Sequence, residues 1–387
     1  MKSVLYTSVL QTPILLLGSL IILVLGFKEL GGWDEMMRVC GAVTVNDYGD
    51  TMTNLIRSND DANFPWLGAL IGSAIIGFWY WCTDQFIVQR VLSGKNEMEA
   101  RRGTIFGAYL KLLPVFLFLI PGMIAFALHQ KYIGAGGEGF LPMLANGTAN
   151  ADAAFPTLVA QLLPAGVKGL VVCGILAALM SSLASLFNSS AMLFTIDFYK
   201  RFRPQTSEKK LVGIGQVATV VIVILGILWI PIMRSVGDVL YTYLQDVQSV
   251  LAPGIAAAFL LGICWKRTSA QGGMWGLISG MVIGLTRLGA KVYYSNAGEV
   301  ADSTFKYLFY DMNWLFFCGW MFLFCIIVVI VVSLATKAPT AEKIQGLVFG
   351  TATKEQKAAT RASWNHWDII HTVIILAITG AFYWYFW

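Results

Sequence analysis

The chain has 387 residues, of which 57% are hydrophobic and only 13% charged, with a mean hydropathy of +0.67. Soluble domains carry about 25% charged residues, so the composition excludes a water-soluble fold. The formal net charge of +5 is distributed over separate loops rather than gathered in one basic patch, which argues against nucleic acid as a partner and for a lipid bilayer.

About nine apolar stretches, each of about 20 residues or more, are long enough to cross a hydrocarbon core. They run at 8–27, 64–90, 103–129, 165–198, 211–233, 237–264, 273–292, 313–336 and 368–387. Backbone polar groups in lipid must bond internally, and nothing here alternates like a barrel strand. The expectation is an all-α, polytopic membrane helix bundle, a single transmembrane domain over 1–387. Basic residues mark alternate loops: Arg90, Lys95, Arg101 and Arg102; Lys200, Arg201, Arg203, Lys209 and Lys210; Lys266 and Arg267; then Lys337, Lys343, Lys354, Lys357 and Arg361. The positive-inside rule makes that side cytoplasmic and the chain a multi-pass protein of the inner or plasma membrane.

The first span follows Met1-Lys2-Ser3 with no separate signal-peptide pattern and runs outward. An acidic outer loop follows at 28–63, with Asp34, Glu35, Asp47, Asp50, Asp60 and Asp61. The second span contains GFWYWCTDQF, 77–86, a poor continuous lipid-facing helix. Gly77 is a candidate unwound point, and Tyr80 or Trp81 a platform for the apolar face of a sugar ring, unless the cluster is interfacial packing. In the third span Lys111 would cost about 2.5–3.5 kcal/mol in lipid. It therefore faces a solute or ion path, or forms a structural salt bridge, plausibly to Asp84.

The loop 130–155 holds Gly134, Gly136, Gly137 and an Asn146-Gly147-Thr148 sequon, which matters only in a eukaryotic secretory setting. The segment 155–164 is too short to span and reads as a surface helix. In the fourth span, GILAALMSSLASLFNSS at 174–190, Ser181 and Ser182 follow Ala178 by one helical turn. Either small-residue packing explains them, or the Ala178 carbonyl and the two hydroxyls approach one hard cation such as sodium. The sixth span places Tyr243, Gln245, Asp246 and Gln248 within about one turn, the polar density of a cavity lining, and Pro253-Gly254 is expected to interrupt the helix. Tyr383 to Trp387 fall at the outer interface. The cysteines, without CxxC spacing, read as buried hydrophobes, and the three histidines suggest no zinc or haem site.

Taken together, YTSVLQTPILLLGS (6–19), WYWCTDQFIVQRVLSGKN (79–96), GAYLKLLPVF (107–116), FPTLVAQLLPAGVKGL (155–170), AALMSSLASLFNS (177–189), FTIDFYKRFRPQTSEKK (194–210) and APGIAAAFLLGICWKR (252–267) resemble the sodium/glucose cotransporter branch of the sodium/solute symporter family. The resemblance implies an inverted-repeat (LeuT-like) core, incomplete here, with the chain forming the C-terminal two-thirds of a symporter and lacking the first core helices. It assigns Tyr80, Trp81, Lys111 and Gln245 to the sugar, and Ala178, Ser181 and Ser182 to sodium. It implies sodium-coupled import of a monosaccharide or polyol such as glucose, galactose or myo-inositol, with sodium as coupling ion and no cofactor. Tyr6-Thr7-Ser8 stands where the branch has YTD, which puts a second sodium in doubt. Rival expectations, a membrane transferase or a solute sensor, require a catalytic cluster or an appended signalling domain.

Overall fold

A computed structural model describes residues 2–144, 147–236, 240–297 and 301–387, without the side chains of 2–11, 232, 234–236 and 296. The expected sequon at Asn146 and the side chains of Tyr6, Thr7 and Ser8 lie outside it. Apart from loops and three isolated β-bridges the described residues are helical, and no strand forms among them. In chain order the main helices are α1 Lys2–Leu30, α2 Trp33–Gly41, α3 Trp66–Cys82, α4 Gln85–Leu92, α5 Glu97–Pro114, α6 Ile120–Gly134, α7 Ala154–Leu162 and α8 Ala165–Met192. Then follow α9 Glu208–Val236, α10 Leu240–Cys264, α11 Ala270–Asn296, α12 Trp314–Ala335, α13 Lys354–Ala362 and α14 His366–Tyr385.

Their ends follow local chemistry. Ser269 caps α11 by accepting from the Gly272 amide at 3.0 Å, Asn313 caps α12 through the Leu315 amide, and Thr353 and Asn365 open α13 and α14 with reciprocal capping boxes. A π-helical turn at Val115–Leu119 joins α5 and α6 into one span of 38 residues. Seven helical segments among the described residues are long and apolar enough to cross a bilayer, and α3 with α4, bent by 49°, makes an eighth. The ninth expected span is α11. At 27 residues it extends about 40 Å, but Arg287, Lys291 and its glycines make it less apolar than the others. The short helix expected at 155–164 is α7, nine residues long.

The chain divides into two compact units, one of residues 1–54 with 108–232 and one of 55–107 with 233–387. In the first, α1, α2, α6 and α7 bury a cluster that includes Ile22, Leu30, Met36, Ile124, Leu128 and Leu158. The α1–α8 seam is close because it is lined with glycine: a Cβ on Gly18 would meet Val171, and one on Gly174 would stand 3.0 Å from Ile14. His129 is buried and accepts from the Leu141 amide at 3.0 Å, which ties α6 to the following loop.

In the second unit, α10, α11 and α12 form the densest packing and α3 lies against α10 and α12. Ile75, Ile76, Ala252, Ala256, Leu315 and Cys318 fill that layer. The break expected at Pro253-Gly254 does not occur: α10 continues through both, and both are buried. Gly254 instead serves close approach, since a Cβ on Gly280 would stand 3.0 Å from its Cα. Cys40, Cys318 and Cys325 are buried as expected, but Cys82, Cys173 and Cys264 are exposed on outer helix faces.

Candidate functional site

The second unit contains the broken helix. It does not unwind at Gly77, which remains helical in open surroundings. The break comes at Thr83-Asp84, where side chains replace helical backbone bonds. Thr83 Oγ1 donates to the Trp79 carbonyl at 2.7 Å, and Asp84 Oδ1 accepts from the Phe86 amide at 3.0 Å, capping α4. Asp84, the partner in one of the two alternatives raised for Lys111, serves here as a local cap. Tyr80 and Trp81 occupy the last turn of α3, just before the bend, with rings edge to face at 5.2 Å. Tyr80 is half-buried and Trp81 is 50% exposed, so an aromatic surface is presented beside freed backbone.

On α10, Gln245 and Tyr241 share a face, four residues apart, and Gln245 Nε2 donates to the Tyr241 hydroxyl at 2.9 Å. The next residue points elsewhere. Asp246 is buried, and its carboxylate receives two cations from α11: Arg287 Nη2 at 3.5 Å from Oδ1, and Lys291 Nζ, which pairs with Oδ2. Arg287 is fully buried; its Nη2 donates to the Met312 carbonyl at 2.7 Å and its Nη1 to that of Leu308 at 3.3 Å, while Nε is buried without a hydrogen-bond partner. Its guanidinium lies 4.0 Å above the Phe317 ring of α12. This cluster was not anticipated. Its sequence signal is the basic pair Arg287 and Lys291, four residues apart inside a stretch otherwise fit to span. The polar turn of α10 therefore divides into a locked face at Asp246 and a presented face at Gln245.

The first unit carries the other expected residues. Lys111 lies on an exposed face of α5, one turn before Pro114 and the π-helical turn. On α8, Ala178 and Ser181 are half-buried and Ser182 is exposed. One turn further, Ser185 is 2% exposed and its hydroxyl has no hydrogen-bond partner, while Ser189 donates back to the Ser185 carbonyl at 2.8 Å. Residues 178, 181, 182, 185 and 189 repeat at helical spacing and share one side of α8. Ser185 and Ser189 thus extend the hydroxyl stripe beyond the two serines singled out from sequence. Hydroxyl and carbonyl oxygens are ligands for a hard cation, and this stripe concentrates them in an otherwise apolar helix.

Within the second unit Tyr80 and Trp81 end α3 and Gln245 lies near the start of α10, while these two helices pack through Ile75, Ile76, Ala252 and Ala256; in the first unit Ala178, Ser181 and Ser182 fall at helical spacing on α8.

A sequence model described as the sodium:solute symporter family matches residues 1–280. The chain is similar to a sodium/mannose cotransporter of Bos taurus, 34% identical over 100% of this chain and 68% of that protein. Sodium/myo-inositol cotransporter 2 of Homo sapiens is 35% identical over 91% of this chain and 54% of its own length. Sodium/glucose cotransporter 1 of Ovis aries is 37% identical over 87% and 53%. The chain spans about half the length of the last two. These relatives are named as cotransporters rather than as enzymes, and the extent of the match shows that this multi-pass membrane chain belongs to the sodium:solute symporter family.

Proposed function

We propose that the protein takes part in sodium-coupled import of a monosaccharide or related polyol by alternating access. The observation that carries the reading is that relatives named for mannose, myo-inositol and glucose, each with sodium, align at 34–37% identity across most of the chain. In this reading Ala178, Ser181 and Ser182 ligate sodium through the Ala178 carbonyl and the serine hydroxyls. Tyr80 and Trp81 cover the apolar face of the sugar ring, while Gln245 and Lys111 hydrogen-bond its hydroxyls. Gln245 supports its part by lying on the presented face of α10, with its amide already donating to a hydroxyl, that of Tyr241.

The driving force is adequate. One sodium ion crossing about 100 mV releases about 2.3 kcal/mol, and a tenfold sodium gradient raises the total to about 3.7 kcal/mol. That sustains a solute gradient of a few hundredfold.

Uptake of labelled glucose, mannose and myo-inositol into vesicles carrying the protein tests the reading. Sodium is expected to stimulate uptake of at least one, and equal uptake of all three in sodium and in potassium rejects coupling. Gln245→Ala is expected to raise the solute KM about tenfold, the loss of about 1.4 kcal/mol, with sodium dependence little changed. Ser182→Ala is expected to shift the sodium dependence instead. The reverse pattern rejects the residue assignments.

A further inference from the structure

The last helix, α14, contacts little of its own unit. Of its 20 residues only Asp368 is buried, and Ile369, Val373 and Leu376 stand 52%, 57% and 65% exposed. Between it and the start of α5 runs a groove of about 730 Å³. Val91, Ile105, Ile369 and Val373 make its walls apolar, and Glu97, Arg101 and Asp368 supply its charge. The polar end belongs to the side that the basic loops assign to the cytoplasm, so the groove starts at the headgroup level and runs along two helices toward the acyl chains. Within this unit the seam has room for a lipid.

The charged groups narrow the choice. Arg101 Nη2 donates to Ser363 Oγ at 3.1 Å, whereas its Nε is buried without a hydrogen-bond partner. No described carboxylate is within ion-pairing distance of Arg101, so a guanidinium with donors to spare stands beside an apolar slot. Glu97 lies one turn earlier on the same face of α5. Asp368 uses Oδ2 to accept from the Asn365 amide, completing the cap of α14. One cation and two carboxylates give the lining an excess of negative charge, which disfavours a purely anionic headgroup. A headgroup with a phosphate for Arg101 and a hydrogen-bonding ammonium for Glu97 or Asp368 matches the set.

We infer that this groove binds a phospholipid with a zwitterionic phosphoethanolamine headgroup, its phosphate on Arg101, its primary ammonium on Glu97 and Asp368, and an acyl chain along Ile105, Ile369 and Val373. The lipid would tie α14 to α5 where protein packing does not. This site is independent of the transport reading.

The test is native mass spectrometry of the purified protein titrated with phosphatidylethanolamine, phosphatidylglycerol and phosphatidylcholine of identical acyl chains. The wild type is expected to prefer phosphatidylethanolamine by at least about fivefold. Arg101→Gln is expected to weaken binding of all three lipids, since each carries the phosphate, and Glu97→Gln to reduce the preference for phosphatidylethanolamine while leaving phosphatidylcholine binding unchanged. Ile369→Trp, which fills the slot without touching the charges, is expected to lower phosphatidylethanolamine binding with the helical signal intact; it is the arm to rely on if Arg101→Gln does not fold. Equal binding of the three lipids, preference for phosphatidylglycerol, or retention unaffected by Ile369→Trp overturns the proposal.

Discussion

Arg287 is a cation with no exposed surface, and it persists in an apolar bundle because its two Nη groups and its planar face meet negative charge, a carboxylate, two carbonyls and an aromatic ring, although its Nε has no hydrogen-bond partner. Asp246 in turn serves two cations, so the cluster holds one positive charge more than negative. Removing the carboxylate leaves both cations uncompensated. Asp246→Asn is expected to destabilise the fold by about 3–5 kcal/mol, read as a fall in the thermal midpoint of the detergent-solubilised protein. Replacing all three residues with apolar side chains of similar volume is expected to restore most of that loss, and a triple variant as unstable as Asp246→Asn rejects the electrostatic account. The sequence alone marked Asp246 as polar and inward but not its partners, because they lie 41 and 45 residues downstream on another helix. Ser181 and Ser182 stood out as a hydroxyl pair, while Ser185 was lost among ordinary small residues because only three-dimensional burial reveals its unpartnered hydroxyl.

At the scale of elements, apolar length was the readable quantity, because crossing a bilayer is a property of one segment at a time. Breaks were less readable. Proline and glycine at 253 and 254 suggested one, yet Pro253 costs a single backbone bond inside a tightly held helix, and Gly254 is small because Gly280 needs its space. The real break needed no glycine: Thr83 and Asp84 carry the side-chain oxygens that substitute for lost helical bonds. The glycines of α11 separate by context. A Cβ on Gly284 would collide with the Val250 carbonyl of α10, whereas one on Gly289 would meet nothing within 4 Å. Gly284→Ala is expected to destabilise by about 1–3 kcal/mol and Gly289→Ala to be neutral or to stabilise by up to about 1 kcal/mol, both measured by thermal unfolding. Equal effects at the two positions would show that the seam does not set α11 in place.

For the whole molecule, the alternation of basic and acidic loops assigns sides. In a background with the six native cysteines replaced, Asp47→Cys is expected to react with an impermeant maleimide added outside intact cells, and Lys209→Cys only after permeabilisation. The opposite result inverts the orientation. Family membership was legible from blocks spread across the chain, since short motifs in fixed order carry more information than composition. Which solute is carried was not legible, because relatives named for three different solutes match the chain about equally well. That choice rests on hydrogen-bond geometry of a few tenths of an ångström, which residue identity does not encode.

Where Gly254 meets Gly280, two backbones touch with no side chain between them to act as a lubricant. Helices joined in that way behave as a stiff plank: sliding one past the other would drive Cα against Cα. The contrast lies beside it, at Thr83 and Asp84, where the neighbouring helix has already surrendered its continuity and a bend of 49° needs no side chain to give way.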